Sequence, residues 1–424
     1  MKEITKYTAI LLGAVLFASC TAQDYPDRFK ETAGGPTVHY IRYADKDLMI
    51  TQAAMEETVC IVGDNLTSVH DIYFNDQAAV LNTSYMTTHT IVLQVPKTLP
   101  KVQDNQIHFV TRDSSVVLYP FKVLPPLPKV EAMSCEWAKA GETVTIKGSY
   151  LFAPLSVTFP GADAVDVTVS DGSSFDVVVP AGAQPGKIKV TTASGTAQSS
   201  FQYLDSRNIL FNFDDQRGKM GNNWHAATIE SSALSLDGGY LLLYSADGLK
   251  SDGTDWPDGG YHFEYWPGNW NDPETYQDPG ADDLTLSVDF SGWANMALKF
   301  EYMIPASDPW KGTPMQIWFA GKDLVTLQNA NNTYFHDPDI SLPRVMWKPW
   351  LESGSFDTGG KWCTVTFPIT SSFVYYWDGS MASGKLSADS FAGMEIFLAA
   401  GEENEGSPSA PKIYIDNIRV VPFK

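Results

Sequence analysis

Apolar and polar residues alternate with a period of two along most of this chain, and few stretches carry the spacing of an amphipathic helix. Val144 and Ile146 alternate with Thr143, Thr145 and Lys147, and turn residues punctuate such runs every several positions. That is the pattern of half-buried strands in a sandwich. Further alternating segments run from Ala297 to Ile304, Met315 to Ala320, Trp362 to Ile369 and Met394 to Ala400. They are framed by the strand-like runs Ile209–Asp214 and Ile413–Val420, whose pairing would join the ends of a jelly roll and remove exposed edges. The prediction is an all-β chain whose last segment, residues 206–424, is large enough for one substantial core.

An internal repeat divides the earlier part. The run Glu57-Thr58-Val59-Cys60-Ile61-Val62-Gly63-Asp64-Asn65-Leu66 returns as Glu142-Thr143-Val144-Thr145-Ile146-Lys147-Gly148-Ser149-Tyr150-Leu151. Phe74 matches Phe159 at the same offset, and Val95-Pro96 matches Val179-Pro180 one residue short of it. Two related small domains follow, residues 36–124 and 125–205. The shared glycine is expected at a strand end where the backbone bends tightly. An alternating Thr-Val-x-Ile-x-Gly strand, a Val-x-Phe strand and a Val-Pro turn resemble the IPT/TIG immunoglobulin-like fold. The second copy matches better, because the first has Lys97-Thr98-Leu99-Pro100 where the second has Ala181–Gly186. With one tryptophan between them, Trp137, the two modules read as spacers, and Pro125-Pro126-Leu127-Pro128 stiffens their connection.

The N-terminus begins with Lys2 and Lys6, continues as an apolar run from Tyr7 to Ala18 and ends in Ser19-Cys20. The run is too short to span a bilayer and reads as an export signal. Phe17-Ala18-Ser19-Cys20 resembles a bacterial lipobox, which implies a signal peptide over 1–20, a lipidated Cys20 and a polar tether over 21–35. Cys60, Cys135 and Cys363 fall in three different predicted domains, so they give no disulfide framework and read as apolar fillers. With 50 acidic against 29 basic residues the net charge is −21, which argues against nucleic acid or anionic lipid as a partner and suits a neutral polysaccharide.

Eleven of the twelve tryptophans lie after Arg207, which concentrates the flat rings in the last segment. Trp293, Trp318 and Trp362 belong to or adjoin alternating strands and are assigned to packing. Trp266, Trp270, Trp310, Trp347, Trp350 and Trp377 lie in loop-like stretches rich in Pro, Gly, Asn and Asp. Rings exposed in loops stack on the C–H faces of sugars while polar neighbours take the hydroxyls, so these six are the expected glycan contacts. On this reading the segment from Ser206 binds on its own.

Met346-Trp347-Lys348-Pro349-Trp350, Gly359-Gly360-Lys361-Trp362 and Val365-Thr366-Phe367-Pro368 are similar to the C-terminal xyloglucan-binding-type domain of surface glycan-binding protein B. The resemblance implies an outer-membrane lipoprotein at the cell surface, with two immunoglobulin-like (IPT/TIG) sandwiches followed by a larger jelly-roll-like sandwich. It implies non-catalytic capture of a β-glucan, xyloglucan or mixed-linkage glucan, that is passed to a SusC/SusD-like importer, with no cofactor. The rival readings are a secreted glycoside hydrolase with a β-sandwich fold and a protein-binding surface adhesin. Hydrolysis needs two carboxyl groups across the scissile bond. Laminarinase-like sandwiches carry Glu-x-Asp-x-x-Glu on one strand, and Glu395-Ile396-Phe397 lacks the second acid. His225, His262 and His336 show no triad or metal-ligand spacing, and Asp214, Asp282 and Asp416 show no calcium pattern, so no catalytic or metal residue is assigned.

Overall fold

The computed structural model describes residues 29–100, 102–214, 228–256, 259–265, 284, 288–324, 336–401 and 406–423. The expected signal peptide with Cys20, most of the tether, and Trp266, Trp270, His225 and Asp282 lie outside them. The fold is all-β, and the chain divides into two compact units between Leu127 and Pro128.

In the first unit, one antiparallel sheet runs in the order Met49–Ile50, Thr37–Tyr43, Thr58–Asp64, Thr90–Gln94. A second runs Gln77–Ala78, Val69–Phe74, Gln106–Thr111, Val116–Pro120. Ile41, Ile61 and Ile91 from the first meet Ile72, Phe74 and Phe109 from the second in one core. The second unit begins with a sandwich of the same kind, with Lys129–Met133, Thr143–Leu151 and Gly172–Val178 in one sheet. Val165–Val167, Leu155–Thr158, Lys189–Thr192 and Gly195–Gln198 form the other.

The repeat is preserved down to backbone conformation. Asn65 and its counterpart Tyr150 both take left-handed φ values, 55° and 58°, and each is followed by a fully buried leucine, Leu66 and Leu151. The repeated glycine has a different reason from the bend expected of it. Gly63 and Gly148 lie where the register slips against the preceding strand, and an added Cβ would stand 2.0 Å from the Thr37 carbonyl oxygen or 1.9 Å from that of Lys129. Close backbone approach at a bulge excludes any side chain there.

The larger sandwich follows. One sheet runs Thr228–Glu230, Tyr240–Leu243, Ile413–Pro422, Met296–Met303, Cys363–Pro368, and the opening strand Ile209–Phe211 also pairs with the closing strand Ile413–Pro422. The other sheet runs His262–Tyr265, Gly393–Leu398, Met315–Ala320, Arg344–Trp347. Phe300, Leu298, Ile415 and Val420 from the first pack on Phe263, Ile396, Ile317 and Val345 from the second.

This sandwich is bonded to the second immunoglobulin-like module through buried charges. Glu136 of that module accepts from Lys299 at 2.5 Å and Arg419 at 2.8 Å, and Arg419 also donates to Glu301 at 2.6 and 2.9 Å. All four residues are at most 5% exposed, and the two positive charges balance the two negative ones. The Thr364 hydroxyl donates to Glu301 and accepts from the Glu136 backbone N–H, closing the network. Leu236 and Trp362 of the sandwich add apolar contact to the module's core, and the Trp362 indole donates to the Leu234 carbonyl. The expectation of a segment that stands alone from Ser206 therefore omits a buried counter-ion. Removing Glu136 leaves Lys299 uncompensated in a dry site, which is far more costly than losing an exposed pair. Glu136→Gln should lower unfolding free energy by about 3–5 kcal/mol in urea titration, and a 206–424 fragment should unfold at lower urea than a 128–424 fragment. Equal midpoints for the two fragments would contradict the brace.

Asp416 lies opposite Glu301 on the neighbouring strand and is fully buried. Burial first, and then the nearby Asp237 carboxylate, push its carboxyl up to about 10. The unfolded value is near 3.9, so folding at neutral pH takes up a proton there. The stabilising contribution is complete below about pH 4 and is lost as pH rises toward 10. Asp416→Asn should raise stability at neutral pH and flatten this part of the pH profile of urea unfolding. An unchanged slope would show that Asp416 is ionised in the fold.

Candidate functional site

Strand alternation gives the four-stranded sheet two unlike faces. Phe263, Tyr265, Met394, Ile396, Met315, Ile317 and Val345 point into the sandwich core. The register pairs His262 with Phe397, Glu264 with Glu395, Gln316 with Phe397 and Trp318 with Arg344, so these residues share the opposite face. It is polar and aromatic but almost wholly buried, because loops cover it.

Arg344, 0% exposed, anchors that cover. Its guanidinium donates to Gln316 Oε1 at 2.9 Å and to the Leu342 carbonyl at 3.3 Å, and stands 5.8 and 6.0 Å from the rings of Tyr376 and Trp377. Burial pushes its pKa down to about 9, so it remains a cation at neutral pH. Gln316 in turn donates to the carbonyls of Trp377 and Ala399. Trp377 is thus held by backbone and ring. On its outer side are Trp256 at 5.8 Å and His336 at 5.8 Å, and the Tyr376 hydroxyl donates to the His336 carbonyl. Trp256 is 57% exposed and is the one tryptophan among the described residues with a largely open ring. Asp255 beside it is pinned by donors from Lys250, Ser251 and Thr313, which fixes the loop that presents the ring.

The six expected contacts divide differently. Trp310 is fully buried, with its indole donating to the Gly312 and Thr313 carbonyls and its backbone exchanging hydrogen bonds with Phe356. Trp350, 2% exposed, belongs to the same core. Trp347 is half-buried, and edge-to-face neighbours Tyr302 at 5.0 Å and Trp310 at 5.4 Å surround it. Trp310 and Trp350 thus lie in the core, whereas Trp347, at the end of the strand Arg344–Trp347, is only partly covered. Burying the first two rings recovers apolar free energy an exposed ring forgoes. Trp377 is buried as well, but under the open Trp256. Trp266 and Trp270 lie outside the described residues. Composition alone did not single out Trp256, although Asp255-Trp256-Pro257-Asp258 has the make-up of the chosen loops.

Two other features have the make-up of sites. A cleft of about 910 Å³ is lined by Phe290, Lys322, Asp323, Leu342, Lys385 and Asp389, but its ring, Phe290, is buried. Among the described residues it offers hydrogen bonds without an exposed ring to stack on. Glu264 and Glu395 are the second. Sheet pairing brings these two acids together with His262, whose Nε2 is 3.0 Å from Glu395, so the spacing-based exclusion of His262 from any cluster does not hold. Burial, and then the Glu395 charge, raise Glu264 to about 8, with His262 opposing. At 3% and 2% exposed, the two carboxyls are closed off from any glycosidic bond.

The sequence profile of the surface glycan-binding protein B xyloglucan binding domain matches residues 203–422. The crystal structure of a surface glycan-binding protein B from Prevotella bryantii is 36% identical, covers 92% of this chain and 100% of its own, and superposes with a TM-score of 0.75. This chain belongs to the surface glycan-binding protein B family. An IPT/TIG domain-containing protein of Bacteroides ovatus is 28% identical over 156 residues, 34% of this chain, and the match spans about a third of that relative, 32% of its length. In this chain an aromatic cluster lies over the outer face of the four-stranded sheet, and Trp310 and Trp350 lie in the core with Trp347 packed against it. Trp310→Ala and Trp350→Ala should each cost about 3–5 kcal/mol in stability, read by urea unfolding. A Trp310→Ala protein with an unchanged midpoint would return that ring to the surface.

Proposed function

We propose that this protein captures a β-glucan, xyloglucan or mixed-linkage glucan, on the outer cell surface and does not cleave it. The observation that carries the reading is the open Trp256 ring, backed by Trp377 and His336 over the buried Arg344. An aromatic face of this kind takes the C–H side of a sugar ring, and its loop neighbours supply hydrogen-bonding groups. The match to a xyloglucan binding domain supports xyloglucan as the first ligand to test. The net charge of −21 suits an uncharged polymer. Trp266 and Trp270 enter this reading by sequence alone, as residues in the segment that follows the strand His262–Tyr265.

In this proposal Cys20 carries the lipid that holds the protein at the outer membrane, and captured chains pass to a SusC/SusD-like importer. Binding without cleavage is supported by the burial of the Glu264 and Glu395 carboxyls, which keeps this pair from flanking a bound sugar. The test is isothermal titration with xyloglucan. Trp256→Ala should weaken binding by about 5- to 150-fold, the equivalent of about 1–3 kcal/mol for a stacked ring, while the melting temperature stays unchanged. Wild-type affinity in Trp256→Ala and His336→Ala would remove the cluster from the site, and reducing ends accumulating on long incubation would establish a hydrolase.

A further inference from the structure

We propose that His262, Glu264 and Glu395 form a binding site for a divalent transition-metal ion of the zinc class. One ligand atom from each lies within 4.8 Å of the others, and His262 Nε2 is 3.0 Å from Glu395 Oε2. Donors bound to one ion at ~2.0–2.2 Å stand roughly 3–3.6 Å apart, so small shifts of two carboxylates complete the set. The backbone fixes the arrangement, since Glu264 and Glu395 are direct cross-strand partners and His262 shares the face of Glu264 two residues away.

All three side chains are at least 97% buried, and Glu264 Oε2 has no hydrogen-bond partner among the described residues. A carboxylate oxygen in a dry site beside a second carboxylate is destabilising unless a proton or a cation is shared between them. A metal ion would satisfy both acids and the imidazole together. The donor set selects the ion, because calcium gathers six to eight oxygens, whereas one imidazole with two carboxylates suits zinc or its first-row neighbours. The ion would tie the edge strand His262–Tyr265 to Gly393–Leu398 and so stiffen the floor beneath Trp377, which rests on Phe397 of that strand. Because all three side chains are almost fully buried, the ion is expected to load as the chain folds.

The test uses the full chain carrying His39→Ala and His89→Ala, which removes the exposed His39–Asp64–His89 group as a competing zinc ligand set. The protein is unfolded in denaturant with a chelator, then refolded with zinc or cobalt chloride and freed of excess ion by gel filtration. The expected result is one ion per chain by elemental analysis, visible cobalt absorption bands and a melting temperature several degrees above the metal-free sample. Glu264→Gln, close to isosteric, and His262→Gln should fold but lose the ion and the metal-dependent rise. Absence of bound ion in the refolded parent, or equal retention in Glu264→Gln, would overturn the site and leave the trio as a proton-sharing cluster.

Discussion

The constraint on which the outer side of the four-stranded sheet depends is the cost of burying polar groups without partners. Alternation puts Gln316, Arg344, Glu395, Glu264 and His262 on the sheet face that points away from the core. Loops close over that face, and once water is excluded each group must be satisfied internally. Arg344 is the centre of the solution. It bonds Gln316, which bonds the Trp377 backbone, and its cation lies against Trp377 and Tyr376. The ring positions at the surface are therefore set from below by a hydrogen-bonded layer, and Trp256 meets solvent over a floor that cannot easily shift. Preorganisation of this kind reduces the ordering cost of binding a flexible polymer.

A second buried network makes the neighbouring module part of the same body. Glu136 belongs to an immunoglobulin-like sandwich by fold and to the C-terminal sandwich by electrostatics, as counter-ion to Lys299 and Arg419. A module of this sort is more than a spacer, since it completes the charge balance inside the domain it supports. The junction also explains Trp362, which packs at the boundary against Tyr240 and Tyr414 and donates to Leu234.

Period-two alternation and an internal repeat are local properties, and both were legible in the sequence. They marked the strands Thr58–Asp64 and Thr143–Leu151 and the pairing of the first and last strands of the sandwich. What depended on distant partners was not legible. Trp310 reads as a loop residue because its Pro and Gly neighbours say so, but its burial is decided by Phe356 and by carbonyls that curl back onto its indole. Gly63 and Gly148 stood out in the repeat, but their reason is a carbonyl on another strand. His262 and Glu264 are two apart on a strand and hence on one face, which the sequence did contain, whereas Glu395 joins them only through sheet pairing.

The central claim is that glycan meets this protein on the outer side of the four-stranded sheet, at Trp256. The most direct measurement is the set of tryptophan indole N–H signals in two-dimensional NMR, assigned by single substitutions and followed during titration with a xyloglucan oligosaccharide. The account predicts the largest perturbations at Trp256 and Trp377, with Trp310 and Trp350 unmoved. Perturbation concentrated at Trp310, Trp347 and Trp350, or at Trp137 in the second immunoglobulin-like module, would contradict it.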